Sequence, residues 1–218
     1  MNGPEGRWAI IVPIKRLAIA KTRLAEERDV RADLALAMAL DTVAAARAAT
    51  AVERVVVVTD EPSAAEAMRR MGVEVVADAP DAGLNPALTH GALSAAAGRG
   101  PVAVAALSSD LPALRASDLD GVLAAAADQP CCLVADAEGG GTTLLTALDA
   151  AAFVPRFGLD SHRAHLDAGV HVLTEQAAAS LRRDVDTPDD LRAAVDLGVG
   201  PATAAALRRH PLWAVVGS

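Results

Sequence analysis

"PVAVAALSSD", residues 101–110, is an apolar run that ends abruptly in Ser108, Ser109 and Asp110. Polar residues do not alternate along it, which is the pattern of a strand covered on both faces in a parallel sheet. In open parallel sheets, ligands bind beyond the carboxyl ends of the strands. An Asp at that place therefore either binds a ligand-bearing cation or caps the next turn.

The same pattern recurs on both sides. "WAIIVP" (8–13), "RVVVVTD" (54–60), "VEVVAD" (73–78), "CCLVAD" (131–136) and "VHVLT" (170–174) read as strands. Helical segments lie at 30–49, 62–71, 86–98 and 117–128. This βαβα order predicts an α/β protein with a mostly parallel central sheet and helices on both faces. Towards the C-terminus, Thr187 or Asp186 caps a helix whose first turn holds Pro188, Asp189 and Asp190 and which Gly198 closes. "GPATAAALRRH" reads as a last helix. With no repeat, linker or low-complexity tract, residues 1–218 read as one domain.

Composition narrows the class. The chain has 218 residues, 52% of them apolar and only 2% aromatic, so Ala, Val and Leu must fill the core. The net charge of −8, with no basic run interleaved with aromatics, argues against nucleic acid as a partner. No apolar stretch is long enough to span a membrane, and the N-terminus lacks the basic-then-apolar order of a signal peptide. The expected location is the cytoplasm. The two cysteines, Cys131 and Cys132, are neighbours on a strand and point to opposite faces. They read as buried or half-buried thiols, not as a disulfide or a zinc site.

The residues that follow the strands carry the chemistry. "VPIKRLAIAKTRL" offers Lys15, Arg16, Lys21 and Arg23 just after the first strand, either to hold a polyphosphate or as a solvated loop; no P-loop pattern is present. Asp110 suits Mg²⁺, which takes one or two carboxylates and completes its shell with water and phosphate oxygens. Asp184 and Asp186 stand two apart, so on a strand both face one side; helix capping is the other reading. In "AEGGGTTLLTAL" (137–148), the glycine run lets backbone approach a ligand, and bare amides with Thr hydroxyls can line an anion site. In "FGLDSHRAHLDAG", Gly158 and Ser161 can give an anion an amide and a hydroxyl, while His162 and His165 read as ordinary surface or half-buried histidines. Asn85, before Pro86, is either a turn residue or a reader of a base edge.

In order along nearly the whole chain, "VPIKRLAIAKTRLA", "SSDLPAL", "GGGTTLL", "FGLDSHRAHLDAG" and "RRDVDTPDDL" resemble one family. It is the phosphoenolpyruvate/2-phospho-L-lactate guanylyltransferase family of coenzyme F(420) biosynthesis. The spacing F-G-x-x-S-x-x-x-H after G-G-x-T-x-L sets it apart from related sugar and molybdopterin nucleotidyltransferases. The resemblance implies a Rossmann-like nucleotide-diphospho-sugar-transferase (nucleotidyltransferase) fold. It implies an Mg²⁺-dependent reaction of GTP with a phosphorylated three-carbon acid, releasing pyrophosphate, and a transient downstream transferase as partner. By position, Asp110 and Asp186 would hold Mg²⁺, with Asp184 as a further ligand. Lys15, Lys21 and Arg23 would clamp the triphosphate, Leu84 and Asn85 would meet the base, and Thr143, Gly158 and Ser161 would hold the acid. The Ala- and Arg-rich composition of a GC-rich genome goes with phosphoenolpyruvate as that acid; 2-phospho-L-lactate and 3-phosphoglycerate are the alternatives. A non-catalytic nucleotide-binding regulator is the reading from a different class.

Overall fold

The computed structural model describes residues 8–15, 24 and 27–210. Strands β1 (Trp8–Pro13), β2 (Val52–Val58), β3 (Glu74–Val76), β4 (Val104–Leu107), β5 (Cys131–Ala135), β6 (Thr142–Ala147) and β7 (His171–Val172) form one sheet. Its order is β3-β2-β1-β4-β6-β5-β7. β6 runs antiparallel to both neighbours, and every other pairing is parallel. β6 is the strand that the sequence reading omits. Its residues are buried at every position. As an antiparallel partner of β5 it needs only the short glycine loop between them, whereas a parallel strand would need a crossover.

The helices are α1 (Arg28–Ala48), α2 (Pro62–Arg70), α3 (Leu84–Ala96), α4 (Ala116–Ala126), α5 (Ser161–Asp167), α6 (Ala179–Arg182), α7 (Pro188–Leu197) and α8 (Pro201–Arg209). Alternate strand residues bury on opposite faces. Ile10, Val12, Val55, Val57 and Leu107 meet Val43, Met68, Leu119 and Leu123 of α1, α2 and α4. Ala9, Ile11, Val56, Val58 and Val104 meet Leu88 and Ala92 of α3 and Phe153 beyond β6. With both faces covered, the strands are apolar throughout. Gly91 lets α3 lie close: a Cβ there would stand 2.6 Å from both Ile11 Cγ2 and Val58 Cγ2.

A third apolar cluster joins Leu34 and Met38 of α1 to Leu191 and Ala194 of α7 and Ala206 of α8. Asp41 of α1 fixes the start of α8 by accepting hydrogen bonds from the Ala202 and Thr203 amides, at 3.0 and 2.7 Å. Cys132 is buried, Cys131 partly so, and neither is in a disulfide; burial pushes both thiols above their ordinary pKa.

Several boundaries move for identifiable reasons. α3 begins at Leu84, not at 86, with Gly83 as its cap at φ 104°. Pro86 is accommodated because it stands in the first turn, where an N–H has no intrahelical acceptor. Asn85 is thus inside the helix, not ahead of it. Thr187 caps α7: its hydroxyl accepts from the Asp190 amide at 3.2 Å, and the Asp190 carboxylate accepts from the Thr187 amide at 2.9 Å. The cap is not Asp186. Asp184 and Asp186 are not on a sheet strand, because residues 183–187 connect α6 to α7 without pairing. Val185 between them is buried and both acids are half-exposed, so the two-residue alternation survives without the sheet.

Candidate active site

The strand order reverses between β1 and β4, since β1 continues to β2 on one side and the chain later returns to β4 on the other. A crevice at the carboxyl ends of the strands is expected at such a point. A cavity of about 720 Å³ lies there. Ile14 and Lys15 reach it from β1, Ser108, Ser109 and Asp110 from β4, and Asp136 from β5. Because β6 runs the other way, its first residue, Thr142, lies at the same edge. Leu84, Phe157, Gly158, Ser161, Asp184 and Asp186 complete the wall.

Lys15, Leu84, Asp110, Gly158, Ser161, Asp184 and Asp186 therefore meet around one cavity. Lys21 and Arg23 lie outside the described residues. Thr143 and Asn85 do not line the cavity. Thr143 is buried in β6, its carbonyl accepts from the Ser108 amide at 2.9 Å, and its hydroxyl has no partner among the described residues. Asn85 Oδ1 accepts from the Phe157 amide at 2.7 Å, and its Nδ2 donates to the Phe157 carbonyl at 3.0 Å. Engaged at both ends by the Phe157 main chain, this amide fastens the 157–160 turn to α3.

Thr42, which the sequence reading does not single out, places Asp110. It is buried in α1 and accepts from the Leu111 amide at 3.1 Å, while its one hydrogen lies between the Met38 carbonyl at 2.9 Å and the Ser109 carbonyl at 3.3 Å. Its only signal is a hydroxyl beside Asp41 in an Ala-rich helix. The Val185 amide donates to the Asp110 carbonyl at 3.1 Å, which lays the 184–186 segment beside Asp110. The donors are hard carboxylate oxygens, suited to Mg²⁺ or a similar cation. Among the described residues no three His, Cys, Asp or Glu side chains converge as a ready-made cage. A shell of one or two carboxylates completed by water and phosphate is the fitting arrangement. Charge points the same way: among the described lining residues, Asp110, Asp136, Glu138, Asp160, Asp184 and Asp186 face a single cation, Lys15.

The glycine loop does not wait for a ligand. The amides of Gly139 and Gly140 donate to Asp136 Oδ1 at 2.6 and 3.0 Å, and Gly141 donates to Oδ2 at 2.7 Å. An internal carboxylate fills the anion nest. A Cβ on Gly141 would strike that carboxylate, which explains the glycine there. The available amides lie elsewhere. Gly158, at φ 138°, and Asp160, in the left-handed region at φ 53°, shape a turn in which the N–H groups of residues 158–160 have no acceptor among the described residues.

His165 is fully buried, not half-exposed. Its Nε2 accepts from the Arg156 amide at 2.9 Å, and its Nδ1 stands 3.1 Å from Thr142 Oγ1. The Ser161 and Thr142 hydroxyls are 3.2 Å apart. Burial, with the Arg156 charge adding to it, lowers the His165 pKa from 6.5 to about 4, so the ring is neutral at physiological pH.

Donors beside a group of carboxylates, at the switch point of such a sheet, suit a nucleotide and its cation, and the comparisons give the class as nucleotidyltransferase. The chain matches the family model described as "Guanylyl transferase CofC like" over residues 8–210, and it belongs to that family. It is 51% identical over 210 residues to a phosphoenolpyruvate guanylyltransferase of Thermomonospora curvata, covering 96% of this chain and 92% of that one. It is 50% identical over 205 residues to the Streptomyces coelicolor protein of that name, covering 93% and 97%. Among solved structures, a putative nucleotide-diphospho-sugar transferase from Desulfovibrio desulfuricans superposes with a TM-score of 0.71 at 19% identity, covering 97% and 98% of the two chains. The fold is that of the nucleotidyltransferases.

Proposed function

We propose that this enzyme joins GTP to phosphoenolpyruvate with release of pyrophosphate, forming the enolpyruvyl-diphospho-guanosine used in coenzyme F(420) assembly. The observation that carries the reading is that Asp110, Asp184 and Asp186 share one cavity with Thr142, Gly158 and Ser161. One wall suits a cation-bound triphosphate, and the other suits a small phosphorylated acid. The names of the relatives support the choice of nucleotide and acid.

A phosphate oxygen of the acid attacks the α-phosphorus of GTP in line, and the bond to the β-phosphate bridging oxygen breaks. The attacking oxygen is already anionic, so no general base is needed. Catalysis then rests on positioning and on offsetting charge. Asp110 and Asp186, with Asp184 beside them, would hold Mg²⁺, which when bound neutralises phosphate charge and orients the reacting groups. Lys15 reaches the same cavity and, with Lys21 and Arg23, would clamp the triphosphate. The amides of the 158–160 turn and the Ser161 and Thr142 hydroxyls receive the acid's phosphate and carboxylate; Thr143 supports that wall from within β6. Leu84 gives the base an apolar contact.

The test is pyrophosphate release from GTP and Mg²⁺ with phosphoenolpyruvate, 2-phospho-L-lactate or 3-phosphoglycerate in turn. A downstream transferase and its deazaflavin acceptor are included to draw off the product. Turnover with phosphoenolpyruvate alone supports the reading. Preference for another acid moves the substrate within the family. GTP binding without turnover of any acid would favour a regulator.

A further inference from the structure

The hydrogen-bond string behind the acid wall has a direction that the proposed mechanism does not use. We propose that His165, through Thr142 and Ser161, is a positioning residue that orients one hydroxyl hydrogen into the cavity to meet the anionic acid. This rests on the functional reading for the identity of the anion; the string itself stands on geometry.

The direction is set at the far end. The Arg156 amide can only donate, so Nε2 of His165, at 2.9 Å, is the acceptor and carries no hydrogen. The neutral ring then holds its hydrogen on Nδ1, which faces Thr142 Oγ1 at 3.1 Å and has the Ser161 carbonyl as a second acceptor. The next link joins Thr142 and Ser161 at 3.2 Å. The ring hydrogen is met by Thr142 and the Ser161 carbonyl, while the two hydroxyls carry two hydrogens and share one bond. Whichever hydroxyl donates across the second link, one O–H remains. All three side chains are more than nine-tenths buried. Neither hydroxyl has another acceptor among the described residues, and Thr142 and Ser161 both line the cavity. The remaining hydrogen points to the one place where an acceptor arrives, the bound acid. Because Nδ1 carries a hydrogen and cannot accept one, neither hydroxyl spends its hydrogen on the ring, and the pair turns a donor, not a lone pair, towards an incoming anion.

Phe157 closes this string on its side, with its ring edge-on to His165 at 5.4 Å, so the imidazole has little room to flip. The F-G-x-x-S-x-x-x-H spacing thus gains a physical meaning for its last residue. His165 touches no substrate; it decides which way Ser161 and Thr142 face.

The experiment compares wild type, His165→Ala and His165→Asn. Asn can place an amide N–H where Nδ1–H stands and restore the donor to Thr142. His165→Ala is expected to raise the KM for phosphoenolpyruvate by about tenfold, the order of one hydroxyl bond to an anion, with the KM for GTP little changed. His165→Asn is expected to recover most of that loss. A purely structural role would move both KM values together and leave Asn no better than Ala, which would overturn the proposal. The ¹H–¹⁵N spectrum of the ring decides the string independently of turnover. A hydrogen on Nδ1 supports it, and one on Nε2 overturns it. Wild-type protein that turns over none of the three acids would overturn the functional reading instead.

Discussion

Replacing Asp136 by Asn tests whether the glycine loop is held from inside. In the native loop Oδ1 accepts from two amides and Oδ2 from a third, at 2.6 to 3.0 Å. The carboxamide best keeps its oxygen on the Gly139 and Gly140 amides, which sets its NH₂ against the Gly141 N–H. One charge-assisted bond is lost, at about 1.5–3 kcal/mol, and the other two weaken to neutral bonds. The half-exposed position of Asp136 moderates the total, and about 2–3 kcal/mol is expected. For a chain of this size that lowers Tm by roughly 4–12 °C. The loop also braces α5: His162 donates from its amide to the Gly140 carbonyl at 3.2 Å and from Nδ1 to the Gly139 carbonyl at 2.8 Å. The KM for the acid should therefore rise several-fold. Thermal unfolding and steady-state kinetics on Asp136→Asn provide the check. An unchanged Tm together with tighter acid binding would refute the argument, because it would mean that the amides serve the substrate and that Asp136 merely competes for them.

Asn85→Ala removes both bonds to the Phe157 main chain and should raise the KM for the acid more than that for GTP; a selective loss of guanine preference over adenine would instead return Asn85 to the base. Gly91→Ala drives a methyl into Ile11 and Val58 and should cost about 1–3 kcal/mol; a urea midpoint equal to wild type would contradict that packing. His165 should make the protein acid-sensitive. Its pKa falls from 6.5 to about 4 on folding, so between these values the unfolded chain binds the proton and the native state does not. The associated stability is complete above the higher value and falls as pH drops towards the lower, by up to about 3 kcal/mol. Urea titrations at about pH 7 and about pH 4.5 should show a smaller acid penalty in His165→Asn than in wild type, and equal penalties would exclude this source.

What sequence alone makes legible depends on the kind of interaction. The doubly buried strands of β1, β2 and β4 announce themselves because their apolar runs need no tertiary context. β6 does not, since "TTLLTA" begins with two hydroxyls and owes its place to a hairpin around the glycine loop. Asp110 stands out by its place after an apolar strand, and Asp184 and Asp186 by their two-residue spacing; that the three line one cavity is what the structure adds. The partners of side chains are not. Nothing in "ADAEGGGTT" says that Asp136 fills the loop's own amides, and nothing near Asn85 says that Phe157, 72 residues away, takes up its amide. His165 is misjudged for the same reason, because a histidine on a short helix looks exposed until the elements that cover it are known.

The place of β6 also bears on the order of assembly. β4 and β5 are never neighbours; the strand that separates them is made after both. A chain emerging from the ribosome as far as residue 136 can pair β1, β2, β3 and β4, but it leaves β4 with an open edge, the kind of surface on which chains associate wrongly. β5 has no seat until β6 wedges between them. Asp110 can thus stand at the end of β4 before the Ser161 wall exists, and the hairpin that covers the open edge of β4 also carries Asp136 and Thr142 to the pocket.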